Sequence, residues 1–474
     1  MPTLQQRRAR ARAGTELRLT VFAAALTACA YVLVVAGTTG KAPRGVAGFV
    51  AVIAAGYLAA HLATTRLARG ADPAFVPTAT ALAGIGYAVV YRLDHALADN
   101  QFAWLLIGLA LFVATLIVIR DHRVLDRYTY TIGLVGIGTL LLPMVPGLGE
   151  SINGERLWIH LGPLSFQPSE IAKVLLVIFL ASYLDRTKEL LATSTRRIGP
   201  IRLPEPRSLG PLLVAWGVAL VILFAEDDLG TSLLFFGIFL AMLWAATGRS
   251  AYLAVGLVLF AAASVAAYLL VPHVQVRIVA WLHALSPRYV ENQGYQVAQG
   301  EFAMASGGIL GTGLGQGHPG LIPAAATDFV FASLGEELGL LGTTVVLLMY
   351  LVLVWRGLRA ALARDDGFGK LLATGLSTTL GLQTFVIVGG ITRLIPLTGV
   401  TLPFVSYGGS SLITNFILLA LLVRISAPTP RAPAPAPGGT RAEGPPPAGT
   451  RAAASVDAPG DPSPEPAEHA EGGA

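Results

Sequence analysis

The chain has 474 residues, of which 54% are hydrophobic and only 13% are charged, and its net charge is +5. Soluble globular domains carry about 25% charged residues, so the composition excludes that class and predicts an all-α polytopic integral membrane protein. The positive charge does not indicate nucleic-acid binding, because the basic residues fall in short loops between apolar runs, where they set membrane orientation.

About twelve apolar runs, each of roughly 17 to 25 residues, are long enough to cross the bilayer as helices. A basic segment, residues 1–15, precedes the first run with no convincing cleavage site after it, so we expect a retained helix. The third run is the weakest, because Pro77, Gly84 and Gly86 interrupt it, although membrane helices tolerate such residues. The runs are 16–37, 45–65, 74–92, 102–120, 127–146, 169–185, 209–225, 229–247, 251–271, 329–355, 371–391 and 398–425.

The distribution of Lys and Arg between the loops predicts the orientation. Alternate loops are rich in positive charge, and such loops face the cytoplasm, so both termini are predicted to be cytoplasmic. Residues 427–474 are mostly Pro, Ala, Gly, Thr and Glu; such a segment cannot bury a core, and we expect a disordered cytoplasmic tail. The basic loops hold Arg66 and Arg69; Arg120, Arg123 and Arg127; Arg186, Lys188, Arg196, Arg197, Arg202 and Arg207; Arg249; and Arg356, Arg359, Arg364 and Lys370.

Four segments depart from the pattern of a plain membrane helix, and the predicted orientation places all four at the outer face. In the first, Glu170 lies in the first turn of a helix that begins near Pro168, and Lys173 follows on the same face. We expect these side chains to pair, either as a lock on the helix or as part of a substrate cavity. In the second, Glu226-Asp-Asp-Leu-Gly-Thr231, Asp228 either caps the next helix or contacts the cavity.

The third segment, residues 272–328, is the only large external loop that the sequence predicts. Loops beyond about 15 residues without secondary structure are usually functional or disordered, and this one keeps aromatic and apolar residues, which favours function. It contains Arg277 and ends at Asp328, a carboxylate at the membrane edge that is suited to act as a general base. Its glycine-rich run, 311–317, is only a weak signal for phosphate binding.

Two further carboxylates, Glu336 and Glu337, lie within the apolar run that follows. On a straight helix Glu336 would lie on the order of 12 Å below Asp328. Carboxylates within the membrane are functional or paired, and the sequence leaves both alternatives open.

The fourth segment begins at Arg393 and cannot form one straight helix, because Pro403 and two later glycines interrupt it. Broken backbone at membrane depth lines a cavity or is covered by protein. Arg393 is suited to bind a phosphate or pyrophosphate, with a structural lock to Glu336 or Asp228 as the alternative. Together the four segments predict an outer cavity for a lipid-linked anionic substrate.

Four motifs, in this order, resemble the SEDS family of peptidoglycan glycosyltransferases, typified by RodA, FtsW and SpoVE. The resemblance covers about residues 100–425 and implies a ten-helix core at 99–426, with the helices of 16–98 as additions; the N-terminal layout is more like actinobacterial RodA members than FtsW. The motifs are Asn153-Gly154 with Gln167–Lys173, Asp228–Thr231, Thr327-Asp-Phe with Gly335–Gly339, and Pro403–Ser411.

The resemblance implies that the chain polymerises lipid II and releases undecaprenyl diphosphate. Asp328 would be the catalytic residue and would accept the proton of the attacking sugar 4-hydroxyl, while Arg277, Arg393 or a divalent cation, Mg²⁺ or Mn²⁺, would stabilise the departing diphosphate. The implied partners are a class B penicillin-binding protein and other membrane proteins of the elongation or division machinery. The full set of substrate-binding candidates is Arg277, Glu170, Lys173, Asp228, Arg393, Glu336 and Ser410.

Two other functions fit a chain of this kind. A lipid II flippase would need polar residues through the whole membrane depth, whereas the polar residues here cluster at one face. A scaffold that only recruits division or elongation proteins would leave the broken helices and the acidic residues without a purpose. The sequence does not decide between elongation and division.

Overall fold

The computed structural model describes residues 4–428, apart from 41–45, 153–154, 162–163, 194–195, 199–200, 204–209, 211–212, 215, 219 and 222–227. Helices dominate this part of the chain. They are α1 (Leu4–Thr39), α2 (Val46–Leu67), α3 (Phe75–Leu93), α4 (His95–Val118), α5 (Arg123–Asp126), α6 (Thr129–Leu141), α7 (Pro168–Thr193), α8 (Leu229–Thr247), α9 (Ser250–Leu270), α10 (Pro272–His283), α11 (Tyr295–Gly307), α12 (Val330–Leu362), α13 (Gly367–Ile391) and α14 (Gly409–Ser426).

The helices confirm the prediction of an all-α polytopic membrane protein. Within the described residues, eight helices are long and apolar enough to cross a membrane: α1, α2, α4, α8, α9, α12, α13 and α14. Three of the remaining predicted runs correspond to α3, α6 and α7. The fourth, 209–225, lies partly outside the described residues, as does the predicted tail beyond residue 428.

Two small antiparallel sheets flank α7, and the sequence analysis did not predict them. The strands β1 (Gly149–Ile152), β2 (Glu155–Leu161) and β3 (Leu164–Phe166) pair in that order, and β4 (Arg196–Ile198) pairs with β5 (Ile201–Leu203). The first sheet ends two residues before Pro168, which begins α7 as the sequence predicted. Proline suits a first helical position because its missing N–H would have no helical partner there.

The glycines that weaken the third apolar run are close-packing positions in α3. A methyl group at Gly84 would overlap the side chain of Thr27 in α1, and one at Gly86 would overlap the backbone of Val405. Small residues let membrane helices approach closely where apolar burial provides little drive between them. Helix α3 therefore lies between α1 on one side and the chain before α14 on the other.

Helix α14 forms the centre of the molecule. Every one of its residues from Gly409 to Ile425 is buried except Ile417, which is half-buried. It packs against α4, α7, α12 and α13. Because α14 is surrounded by protein and also buries polar side chains such as Asn415 and Arg424, it and its neighbours fix the position of the chain that enters it.

Helix α12 is interrupted at Gly339, so the prediction of one straight helix over 329–355 is wrong. Gly339 has φ 66° and ψ −170°, a region that is essentially restricted to glycine. The break is filled by the glycine-rich loop: the N–H groups of Thr312 and Gly313 donate to the carbonyls of Glu336 and Glu337 at 2.9 and 3.0 Å. The carbonyls of Gly308 and Ile309, just before this run, in turn accept from the N–H groups of Leu340 and Leu341.

The region 272–328, which was predicted to be external, is more ordered than a loop. It contains α10, which carries Arg277, and α11, and a 3-10 turn at Pro319–Leu321. The expectation of a long segment without secondary structure is wrong, because proline suits the start of α10 and the Ala, Gln, Glu and Met residues of α11 are good helix formers.

Candidate functional site

A non-helical stretch between α13 and α14, residues 398–408, is here called the central segment. Most of it is covered by protein, as broken backbone at membrane depth requires. The Ser406 hydroxyl donates to the Thr327 carbonyl at 2.6 Å, and the Tyr407 N–H donates to the Ala326 carbonyl at 2.7 Å. These bonds attach the central segment to the residues that directly precede Asp328.

The central segment is most accessible at its start, since Thr398 is half-buried and Gly399 is exposed. Asp328, itself half-buried, lies next to them: a Cβ placed on Gly399 would be 3.8 Å from Asp328 Oδ2. Arg277 Nη1 donates to the Thr398 carbonyl at 3.4 Å. A carboxylate and a guanidinium therefore approach adjacent residues of one accessible stretch of backbone.

Asp228 reaches the same stretch through the start of α8. Its Oδ1 accepts the Thr231 N–H at 2.9 Å, which confirms the predicted helix cap. A methyl group at Gly230 would overlap the Thr398 carbonyl, so glycine is what allows this close contact. Glu226 and Asp227 lie outside the described residues.

The Asp228 carboxyl is buried, and burial raises its pKa although the Thr231 hydroxyl and N–H and the charge of Arg277 act in the opposite direction. Glu170 also acts on this carboxyl electrostatically, by repulsion. Among the described residues, Asp228 Oδ2 has no hydrogen-bond partner. The site thus contains a buried acidic oxygen that is not used for the helix cap.

Glu170 and Lys173 form the predicted pair, and the structure extends it to the central segment. Lys173 Nζ donates to Glu170 Oε2 at 2.9 Å and to Gln383 Oε1 at 2.9 Å. Gln383 Nε2 then donates to the Thr401 carbonyl at 2.9 Å. All three polar side chains are buried. Sequence reasoning missed Gln383, although an amide inside the apolar run 371–391 was the available signal.

Arg393 lies just before the central segment but is held by contacts with α10 and α11. Its Nη1 contacts Glu301 Oε1 at 3.0 Å, and its Nε donates to the Trp281 carbonyl at 2.9 Å. Trp281 Nε1 donates back to the Arg393 carbonyl at 2.9 Å. A structural lock was one of the predicted alternatives, but the partner is Glu301 rather than Glu336 or Asp228. The lock ties α10 and α11 to the chain after α13.

Glu336 and Glu337 organise the glycine-rich loop. Glu336 Oε1 accepts the His318 N–H at 2.7 Å, and Glu337 Oε1 pairs with Arg92 Nε at 3.3 Å. Arg92 also donates to the Gly317 carbonyl at 2.9 Å, a contact that the sequence did not predict. Both carboxylates are therefore partnered, and the structure does not bring Glu336 to the central segment.

Ser410 is buried in the first turn of α14. Its neighbour Ser411 makes the contact with the central segment, because Ser411 Oγ accepts the Thr401 hydroxyl at 2.8 Å. Asn415 Nδ2 donates to the same oxygen at 3.2 Å. The observed contact is thus made by Ser411 rather than by the predicted Ser410.

The arrangement agrees with a family model described as "Cell cycle protein", FtsW/RodA/SpoVE, which matches residues 79–430. The chain belongs to the FtsW/RodA/SpoVE family. The family predicted from the four motifs is thereby confirmed. The matched residues begin inside α3, so α1 and α2 precede them.

Relatives and solved structures of the FtsW/RodA/SpoVE family are similar over most of their lengths. Peptidoglycan glycosyltransferase RodA of Mycobacterium tuberculosis is 42% identical over 426 residues, 88% of this chain and 90% of that protein. The probable peptidoglycan glycosyltransferase FtsW of Geobacter metallireducens is 35% identical over 362 residues, 73% of this chain and 92% of that protein. A chain from a structure titled "Structural coordination of polymerization and crosslinking by a peptidoglycan synthase complex" has a TM-score of 0.60 and 27% identity, covering 75% of this chain and 97% of that one.

An apolar cleft opens beside Lys173 in this family member, between α7, α8 and Trp216. It is lined by Leu176, Val177, Phe179, Leu180, Phe235 and Ile238. Its volume is only about 20 Å³, which is room for about one water molecule. Among the described residues, no group of three or more His, Cys, Asp or Glu side chains could hold a metal ion.

Proposed function

We propose that the chain is a peptidoglycan glycosyltransferase that polymerises lipid II at the outer face of the cytoplasmic membrane. The names of its relatives support the activity, and the larger identity to RodA than to FtsW, 42% against 35%, supports a role in elongation rather than division.

The observation that carries the proposal is the convergence of residues from the first three motifs on the central segment, which itself contains most of the fourth. Asp328 and Arg277 approach its accessible end at Gly399 and Thr398. The helix start that Asp228 caps contacts Thr398, and Gln383 joins Lys173 to Thr401. Residues far apart in sequence thus surround one accessible stretch of backbone, beside an apolar cleft.

The reaction follows from the charges at this stretch. The 4-hydroxyl oxygen of one saccharide attacks the anomeric carbon of the other, a glycosidic bond forms, and the bond from that carbon to the diphosphate oxygen breaks. Asp328 accepts the hydroxyl proton as general base. Arg277 stabilises the negative charge that develops on the leaving undecaprenyl diphosphate.

Lys173 and Glu170 hold the central segment in place rather than take part in bond making. Their charges are satisfied by each other and by Gln383, so their effect on the substrate is exerted through the position of Thr401. No step is assigned to a metal ion.

The proposed orientation puts both termini in the cytoplasm and the central segment outside, because the loops rich in Lys and Arg must face the cytoplasm. The relative with a solved structure works in a complex that couples polymerisation to crosslinking. We infer that this chain likewise pairs with a crosslinking enzyme, a class B penicillin-binding protein, among other elongation proteins.

Gel-resolved polymerisation of labelled lipid II tests the activity. Purified chain in detergent is incubated with lipid II, with and without the partner transpeptidase, and glycan strands are separated by length. Polymer in the presence of the chain is the expected result. Absence of polymer under every condition, together with transbilayer movement of lipid II in vesicles that contain the chain, would favour a flippase and overturn the proposal.

A further inference from the structure

A second cavity lies away from the central segment, at the start of α1 and the end of α2. Its volume is about 340 Å³, within the range of about 300–1,000 Å³ that is usual for small-molecule sites. The lining residues with polar or charged side chains are Arg10, Arg12, Glu16, Thr64, Thr65 and Arg69. Arginines therefore make up three of the six polar lining residues.

The carboxylates at this cavity are already partnered. Glu16, the acidic residue of the lining, is buried and pairs with His61 Nδ1 at 3.2 Å. Asp72, which follows the lining residues in sequence, pairs with Arg356 at 3.1 Å. These acids are engaged by groups other than the three arginines of the lining.

The three arginines keep their positive charge exposed to the cavity. Arg12 Nη1 donates to the Gly70 carbonyl at 2.5 Å, which fixes one guanidinium without neutralising it. Within the part of the chain that the structure describes, no carboxylate lies at ion-pair distance from Arg10, Arg12 or Arg69. Three guanidinium groups around one cavity repel each other unless an anion lies between them.

The position of the cavity indicates the source of such an anion. The uncharged, apolar part of α1 begins after Arg18 and the candidate span of α2 ends at Leu67, so the cavity lies at the depth of phospholipid headgroups. The basic residues at this end face the cytoplasm in the proposed orientation. We propose that the cavity binds a phosphate ester, supplied by the headgroup of an anionic phospholipid in the inner leaflet.

Arginine suits this ligand because its planar fork donates two parallel hydrogen bonds to phosphate oxygens. The site would hold α1 and α2 against the inner leaflet in a lipid-dependent way. It is independent of the proposed glycosyltransferase chemistry, since none of its residues contacts the central segment in the described structure.

Native mass spectrometry of the purified full chain tests the proposal. Wild type is titrated with short-chain phosphatidylglycerol, with phosphatidylcholine of the same chain length, and with inorganic phosphate. The variant Arg10→Lys/Arg12→Lys/Arg69→Lys keeps the charge that sets orientation but removes the guanidinium fork. We expect tighter binding of phosphatidylglycerol than phosphatidylcholine by wild type, and about tenfold weaker phosphatidylglycerol binding by the variant.

The matched control replaces three exposed arginines of the same predicted face, Arg120→Lys/Arg127→Lys/Arg359→Lys, and should bind phosphatidylglycerol like wild type. Equal affinities of wild type and the cavity variant would overturn the proposal, and so would equal binding of the two lipids. If inorganic phosphate displaced phosphatidylglycerol at equal concentration, the assignment to a lipid headgroup would be wrong.

Discussion

The buried pair Glu170–Lys173 offers a direct way to separate a structural from a functional role. The Lys173 side chain is 2% exposed and that of Glu170 is 6% exposed, at a distance of 2.9 Å. Lys173→Met keeps the length of the side chain but leaves the Glu170 carboxylate without its cation and Gln383 Oε1 without its donor. Removing one partner of a buried ion pair costs about 3–5 kcal/mol.

Glu170→Gln also removes one partner, but it should fall at the lower end of the range of about 3–5 kcal/mol, because Lys173 keeps its bond to Gln383. The double variant removes both charges together, and replacing a whole buried pair with neutral side chains is often close to neutral. We therefore expect Glu170→Gln/Lys173→Met to recover most of the stability that Lys173→Met loses.

Equilibrium unfolding in mixed micelles measures these free energies, and lipid II polymerisation per folded molecule measures function. The same helix supplies the control: Lys188 pairs with Asp185 at the same spacing, at 2.7 Å, with side chains 40% and 25% exposed. Lys188→Met should cost less than about 1 kcal/mol. If Lys173→Met cost no more than Lys188→Met, the reasoning about the buried pair would be refuted.

Three further predictions concern the break in α12, the lock between Arg393 and Glu301, and the role of Arg277. Gly339→Ala should destabilise the protein by at least about 1–3 kcal/mol, because its backbone conformation excludes a side chain and a methyl group would overlap the Gly311 N–H. Arg393→Lys should lower polymerisation several-fold, as should Glu301→Gln, and the double variant should be no worse than the stronger single one, because both remove the same lock. Arg277→Gln should lower the rate about 10²-fold with little change in the free energy of unfolding.

Each of these has its own control and refutation. Gly138 in α6 has open space where a Cβ would lie, so Gly138→Ala should leave stability unchanged or slightly raised; an equal loss at both glycines would contradict the account of the break. Additive effects of the two lock variants would show that the residues act separately. If the rate per folded molecule of Arg277→Gln equalled that of wild type, the lost activity would come from unfolding, and the assignment of Arg277 to the diphosphate would be wrong.

The helices could be predicted because hydropathy over some twenty residues is a local property of the sequence. The break in α12 could not, since a single glycine such as Gly339 is tolerated inside membrane helices. The backbone groups freed at the break are satisfied by hydrogen bonds from residues 308–313, which pack against α12. The small sheets before and after α7 were missed because strands of three to seven residues give little periodic signal.

In the candidate site too, contacts within one helix could be predicted from the sequence, whereas contacts between distant segments could not. Glu170 and Lys173 are three residues apart on one helix, so their pairing followed from helix geometry. Arg393 and Glu301 are 92 residues apart, and no spacing rule connects them. Gln383 was missed because an amide in an apolar run indicates a polar contact without naming its partner.

The central claim is that Asp328 is the general base at the accessible end of the central segment. The most direct test compares lipid II polymerisation by wild type, Asp328→Asn and Glu291→Gln, an exposed carboxylate of the same external region, at equal amounts of folded protein. The account predicts polymer from wild type and Glu291→Gln, and none above background from Asp328→Asn. Polymerisation by Asp328→Asn at the wild-type rate would contradict it.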